Sequence, residues 1–190
     1  MNIIVSIKKR LPKDPKIQGM IYFMVVIILT HVLWKLLVVG NEYGHEISIA
    51  GKDVTSFFYK ISLFTAKISW WTMHHLFGQD FSLDGVKIYI SNTYSISIIW
   101  ACSAVKQIYM FICLIAFYPN VSWKKKFLFG LFGCILLEVF NIIRIDTVAI
   151  GTKYDEANFE VLHKYTQYLF YVVMFFIWIF WLEKTNSKNV

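Results

Sequence analysis

Four stretches of the chain are predominantly apolar for long enough to cross a bilayer: residues 17–39, 99–118, 127–150 and 162–182. A hydrocarbon core about 30 Å thick requires about 20 such residues per helix. The first stretch follows basic residues, as a signal peptide does. It is longer than a signal h-region and lacks a small-x-small cleavage site, so it is expected to be a retained helix. Pro119-Asn120 breaks the chain after the second stretch, and residues 151–160 form a polar loop between the last two.

Two other segments carry different periods. In residues 55–77, Lys60, Lys67 and His74 recur every seven positions, while Phe57, Phe58, Ile61, Phe64, Ile68, Trp71 and Met73 take other faces. This pattern predicts an amphipathic helix at the membrane interface or packed on the bundle. In residues 86–98 the period falls to two. Val86, Ile88 and Ile90 alternate with Lys87, Tyr89 and Ser91, Asn92-Thr93 turn the chain, and Ile96 and Ile98 alternate with Ser95 and Ser97. This is the pattern of a β-hairpin outside the hydrocarbon. The expected fold is an all-α membrane protein: one integral membrane domain over residues 1–190, with about four transmembrane helices, an amphipathic helix and a small extracytoplasmic β-hairpin.

Composition agrees with that class. The chain is 57% hydrophobic and only 16% charged, against roughly a quarter charged in soluble domains. Its net charge of +7 would suit nucleic acid, but the basic residues flank apolar runs. Lys8, Lys9, Arg10, Lys13 and Lys16 precede the first run, and Lys124, Lys125 and Lys126 precede the third. Such clusters orient helices and contact anionic lipid, so membrane lipids are the expected partner and nucleic acid is not. With the N-terminus inside and residues 55–77 not crossing, both clusters fall on the cytoplasmic side, together with Lys184 and Lys188.

Depth then singles out three residues. Lys126 to Arg144 spans a rise of about 27 Å and His163 to Glu183 about 30 Å along a helix. Cys102 begins a run expected to end about 30 Å away near the lysine triplet. Cys102, Arg144 and His163 are therefore expected at one depth, near the boundary opposite the triplet. Arg144 is one of only two arginines among nineteen basic residues, and it lies in an apolar run, where a permanent charge is costly.

These three side chains have a joint chemistry. A cation and a helix N-terminus both favour a thiolate nucleophile. Histidine can protonate a leaving amine, and arginine offers donors to an oxyanion. Each also has an ordinary reading: an inert thiol, a snorkelling arginine, an interfacial polar cap. Cys113 and Cys134 read as buried apolar residues. Glu138, Lys106, Gln107 and Gln167 form a structural network or line a substrate groove. His74 and His75 diverge by about 100° on a helix and make no metal pair. No metal and no cofactor is called for.

Trp100-Ala101-Cys102-Ser103-Ala104, preceded by the hairpin and by Leu76-Phe77-Gly78, resembles the cysteine segment of the exosortase/archaeosortase family. Asn141-Ile142-Ile143-Arg144-Ile145 is similar to that family's Asn-x-x-Arg motif, and His163 falls where the family has its histidine. The resemblance covers about residues 75–175. It implies a membrane-embedded cysteine transpeptidase or protease at the outer face of the cytoplasmic membrane. Its substrate would be a protein ending in a short motif, an apolar helix and a basic tail, passed to an envelope acceptor. On that resemblance Cys102 is the nucleophile, His163 the acid/base, Arg144 the oxyanion or thiolate stabiliser, and Asn141, Ser103, Glu138 and Lys106 orient the substrate or the site. The family usually has glycine where this chain has Ala104, and its members usually have more spans before the cysteine. The added methyl is expected to alter how closely a substrate backbone approaches. The competing class is a non-enzymatic transporter or envelope-polymer assembly factor, with Glu138, Asn141 and Arg144 lining a path. A thiol-redox role would want a second cysteine beside Cys102, and none is there.

Overall fold

The structure is a computed structural model that describes residues 14–40 and 46–186. Lys8, Lys9, Arg10, Lys13 and Lys188 lie outside the described residues. The elements run in order α1 (Pro15–Leu37), β1 (Val38–Gly40), β2 (Ile47–Ile49), β3 (Lys52–Asp53), α2 (Thr55–His75), β4 (Ser82–Asp84), β5 (Lys87–Tyr89), β6 (Ser95–Ser97), a 3-10 turn (Trp100–Cys102), α3 (Val105–Ala116), α4 (Trp123–Tyr154) and α5 (Asn158–Asn186).

Among the described residues, three helices are long and apolar enough to cross a membrane: Ile17–Leu37, Trp123–Tyr154 and Asn158–Thr185. The expected fourth span, residues 99–118, is not one helix. Ala104 stands in the left-handed region (φ 53°, ψ 5°) and separates the 3-10 turn from α3. The twelve residues of α3 rise only about 18 Å, so the run from Cys102 falls short of the expected 30 Å. The lysine end makes up part of the difference. The Lys126 side chain reaches back over Trp123, and its Nζ donates to the Ala116 carbonyl at 2.6 Å, closing the C-terminus of α3. The last two helices are longer than their apolar cores, because polar residues continue them past the apolar run. The expected 151–160 loop shrinks to the few residues between Tyr154 and Asn158.

The membrane bundle is α1, α3, α4 and α5 around one apolar core of Phe23, Phe111, Leu114, Leu137, Phe170, Met174 and Trp178. Aromatic contacts dominate its lysine end. Tyr22 stacks on Trp178 at 5.5 Å, Tyr118 meets Trp178 edge-on at 5.2 Å, and the Tyr22 hydroxyl donates to the Leu114 carbonyl at 3.1 Å. Gly133 lets α4 approach α3, since a Cβ there would overlap the Phe111 ring. Phe127, Leu131, Ile135, Phe176 and Phe180 stay exposed on the outer faces of α4 and α5. Lipid solvates such faces, whereas a water-soluble monomer rarely carries so large an apolar patch.

Helix α2 packs on the bundle against α4. Its buried face is small and hydroxylated, with Ser62, Thr65, Ala66 and Ser69 between Phe58 and Met73. Phe57, Phe64 and Trp71 are exposed, as are Lys60, Lys67 and His74. Two antiparallel three-stranded sheets flank α2, ordered β1-β2-β3 and β4-β5-β6. The first was not anticipated. The second contains the expected hairpin, extended by β4 across the turn at Gly85. The predicted alternation is present. Ile88 and Ile98 are buried against Ala66, Met73, Ile145 and Ala149, while Lys87, Tyr89, Ser95 and Ser97 are exposed.

Candidate active site

The turn carrying Cys102 is seated on aromatics. Trp100 stacks on Trp34 of α1 at 6.3 Å and meets Phe58 of α2 at 5.7 Å. Its backbone is closed by two short-range bonds, Cys102 N–H to the Ile99 carbonyl at 2.9 Å and Ser103 N–H to the Trp100 carbonyl at 3.1 Å. The left-handed Ala104 then redirects the chain into α3. Alanine rarely adopts this conformation, which glycine adopts freely. Ala104 is 2% exposed and belongs to the bundle core. The methyl group expected to sit beside an approaching substrate is instead packed inward, so its cost is backbone conformation rather than access.

Helix α4 holds this turn from the side. Asn141 Nδ2 donates to the Cys102 carbonyl at 3.0 Å, and Arg144 Nη2 donates to the same oxygen at 3.3 Å. Spaced three apart, the two residues share one helix face. Arg144 and Cys102 also line the same small cavity. Asn141 and Arg144 are both buried, and Arg144 Nε and Asn141 Oδ1 have no hydrogen-bond partner among the described residues.

His163 sits in the second turn of α5 with its ring stacked on Phe159 at 5.5 Å and 18°. The structure brings Cys102, Arg144 and His163 to one small cavity of about 40 Å³, walled by Ile96, Ser97, Ile98, Ile145, Val148 and Phe159. That is room for a few water molecules. Larger apolar grooves lie at the lysine end, one between α4 and α5 and one between α3 and α4.

The other predicted residues surround the site without lining the cavity. Ser103 is buried and its hydroxyl contacts Ser62 of α2 and the Ile99 carbonyl, each at 3.2 Å. Glu138 accepts from Thr65 at 3.5 Å. Lys106 sits in the first turn of α3.

Asp146 escaped the sequence reading. It is 3% exposed and accepts hydrogen bonds from both Ser69 and Thr72. Ser62, Thr65, Ser69 and Thr72 thus form one stripe on α2, each hydroxyl meeting a polar group of the turn or of α4. Their spacing of three and four is visible in the sequence and was the available signal. The wall of the cavity formed by β6, and the stacking role of Phe159, had no such signal.

No curated protein and no solved structure matches the chain. The model of the transmembrane exosortase family matches residues 50–180, a region that takes in α2, the second sheet, the cysteine turn and nearly all of the two helices bearing Arg144 and His163. With more than half of its length accounted for in this way, the chain is a multi-pass membrane protein that belongs to the transmembrane exosortase family, and membership implies an exosortase-type protein-sorting role.

Proposed function

We propose that the chain cleaves a C-terminal sorting signal through a thioester on Cys102. The observation that carries this reading is the shared cavity of Cys102, Arg144 and His163. The Cys102 thiolate adds to the carbonyl carbon of the scissile peptide bond. The tetrahedral oxyanion collapses with loss of the amine, which takes its proton from His163. Water or an amine of the acceptor then attacks the thioester and releases or transfers the product.

The hydrogen-bond pattern supports a specific role for Arg144. Oxyanion holes in acyl transfer use preorganised donors, often backbone N–H groups beside the nucleophile. Here the N–H groups of Cys102 and Ser103 are both engaged within the turn. Arg144 Nη2 holds the turn, and the guanidinium, whose Nε has no hydrogen-bond partner among the described residues, supplies the oxyanion donor in this reading. Proximity of the same cation favours the thiolate. Asn141 acts through Cys102 as a positioning residue.

The lysine triplet supports an orientation with the site on the extracytoplasmic side of the cytoplasmic membrane. Substrates of the expected kind, with a basic tail inside and a motif outside, would meet Cys102 at that level. The decisive experiment follows a tagged secreted protein whose tail is a short motif, an apolar helix and a basic stretch. Cys102→Ala is expected to abolish its processing while the membrane protein accumulates, and a thioester-linked adduct should be trapped on Cys102 of the active form. Normal processing by Cys102→Ala would sink the reading. Full activity in Cys102→Ser, with loss in Glu138 and Arg144 variants, would favour a non-enzymatic module.

A further inference from the structure

Among the described residues, strand β6 lies at the outer edge of its sheet, paired on one side only with β5. The register places Ile96 opposite Ile88 and Ser97 opposite Lys87. Beyond the strand ends, Ile98 N–H donates to the Val86 carbonyl at 2.8 Å and Ile90 N–H to the Tyr94 carbonyl at 3.0 Å. Hydrogen-bonded and non-bonded pairs alternate along an antiparallel ladder. Tyr94, Ile96 and Ile98 therefore direct their main-chain groups at β5. Ser95 and Ser97 direct theirs to the opposite, unpaired edge, and both residues are exposed.

The strand borders the candidate active site. Ile96, Ser97 and Ile98 form one wall of the cavity that holds Cys102, Arg144 and His163. An unpaired strand edge is a template for another extended chain, and added strands gain affinity from main-chain bonds that tolerate many side chains. We propose that the substrate segment around the scissile bond binds as an added strand on β6. The main-chain groups of Ser95 and Ser97 anchor it, and Ser97 hands the scissile carbonyl to Cys102. The occupant is an extended peptide, the only conformation that offers its own main-chain groups to this edge. The proposal rests on the peptidase reading of the cavity.

The probe is a secreted reporter fused to the C-terminal tail of a host protein that ends in a short motif, an apolar helix and a basic stretch. Ser97→Pro removes the outward N–H without removing a ladder bond, a placement in which edge strands accept proline. It is expected to raise the KM for the reporter at least about tenfold, the equivalent of one good hydrogen bond, with the alkylation rate of Cys102 unchanged. Ser97→Ala keeps the outward N–H and is expected to show a lower KM than Ser97→Pro. A wild-type KM in Ser97→Pro overturns the proposal. A second measurement does not depend on that variant folding. In a Cys102→Ala background, Ser95→Cys is cross-linked to single cysteines scanned through the reporter's motif. Disulfides at alternate motif positions, the period of a paired strand, are expected, whereas uniform or absent cross-linking overturns the proposal. If Cys102→Ala itself processes the reporter, the peptidase reading has failed. If Cys102→Ala is inactive while Ser97→Pro keeps its KM, only the strand-addition proposal has failed.

Discussion

Asn141 donates its side-chain amide to the main-chain carbonyl of Cys102 at 3.0 Å, joining two residues 39 positions apart. The bond fixes the turn that presents the thiol, and it uses the donor end of the amide. Asn141→Asp keeps the shape and loses the donor. Processing of a tagged substrate is expected to fall about 10- to 100-fold in Asn141→Asp and Asn141→Ala, the range seen when reacting groups are slightly misplaced. Time courses in isolated membranes, alongside the alkylation rate of Cys102, check this.

Arg144 presents its donors in a planar fork. Its Nη2 reaches the Cys102 carbonyl, and Nε has no hydrogen-bond partner among the described residues. Lysine carries the charge without that geometry. Arg144→Lys is expected to accumulate in the membrane and to lose about 10²–10³-fold in turnover, the cost of one oxyanion donor. Single-turnover rates of thioester formation provide the measurement.

Ala104 tests the backbone against the core. A left-handed alanine costs about 1–2 kcal/mol relative to glycine, and burying its methyl returns about 1 kcal/mol. Ala104→Gly should leave thermal stability within about 1 kcal/mol of the parent and retain processing. Ala104→Val places a β-branched residue at φ 53° in a packed core and should lose about 2–4 kcal/mol. Unfolding of the purified protein in detergent distinguishes the two.

The hydroxyl stripe of α2 docks on buried polar groups. Ser69→Ala with Thr72→Ala removes both recorded donors to Asp146 and should destabilise by about 2–4 kcal/mol, since a buried polar group is left unsatisfied. Adding Asp146→Ala should recover part of that loss, because removing all partners is cheaper than removing one side. Additive losses across the three substitutions would contradict this account. Thermal unfolding of the single, double and triple variants forms the cycle.

Much of the architecture is a local property and was legible. Long apolar helices declare themselves because each residue's partition into lipid is counted along a contiguous run. The alternation of residues 86–98 declares a half-buried sheet for the same reason, as Ile88 and Ile98 confirm by their burial. The helix ends were less legible, since polar residues such as Thr152 and Lys153 extend α4 beyond its apolar core.

The break at Ala104 was not legible, because alanine is the strongest helix former and nothing beside it signals a turn. Its conformation is held by distant groups: Asn141 and Arg144 on the Cys102 carbonyl, Trp34 and Phe58 against Trp100, Ser62 against Ser103. The first sheet, with strands of two or three residues, also lay below any periodic signal.

By itself the sequence determined the membrane class, the helical spans of α1, α4 and α5, and the motifs shared with a family. Those depend on composition and spacing within a segment. Tertiary structure alone decided that β6 walls the cavity with Cys102, Arg144 and His163, that α3 is short, and which donors at the turn are engaged. Those depend on main-chain directions and on contacts between segments far apart in the chain, which neither hydropathy nor periodicity records.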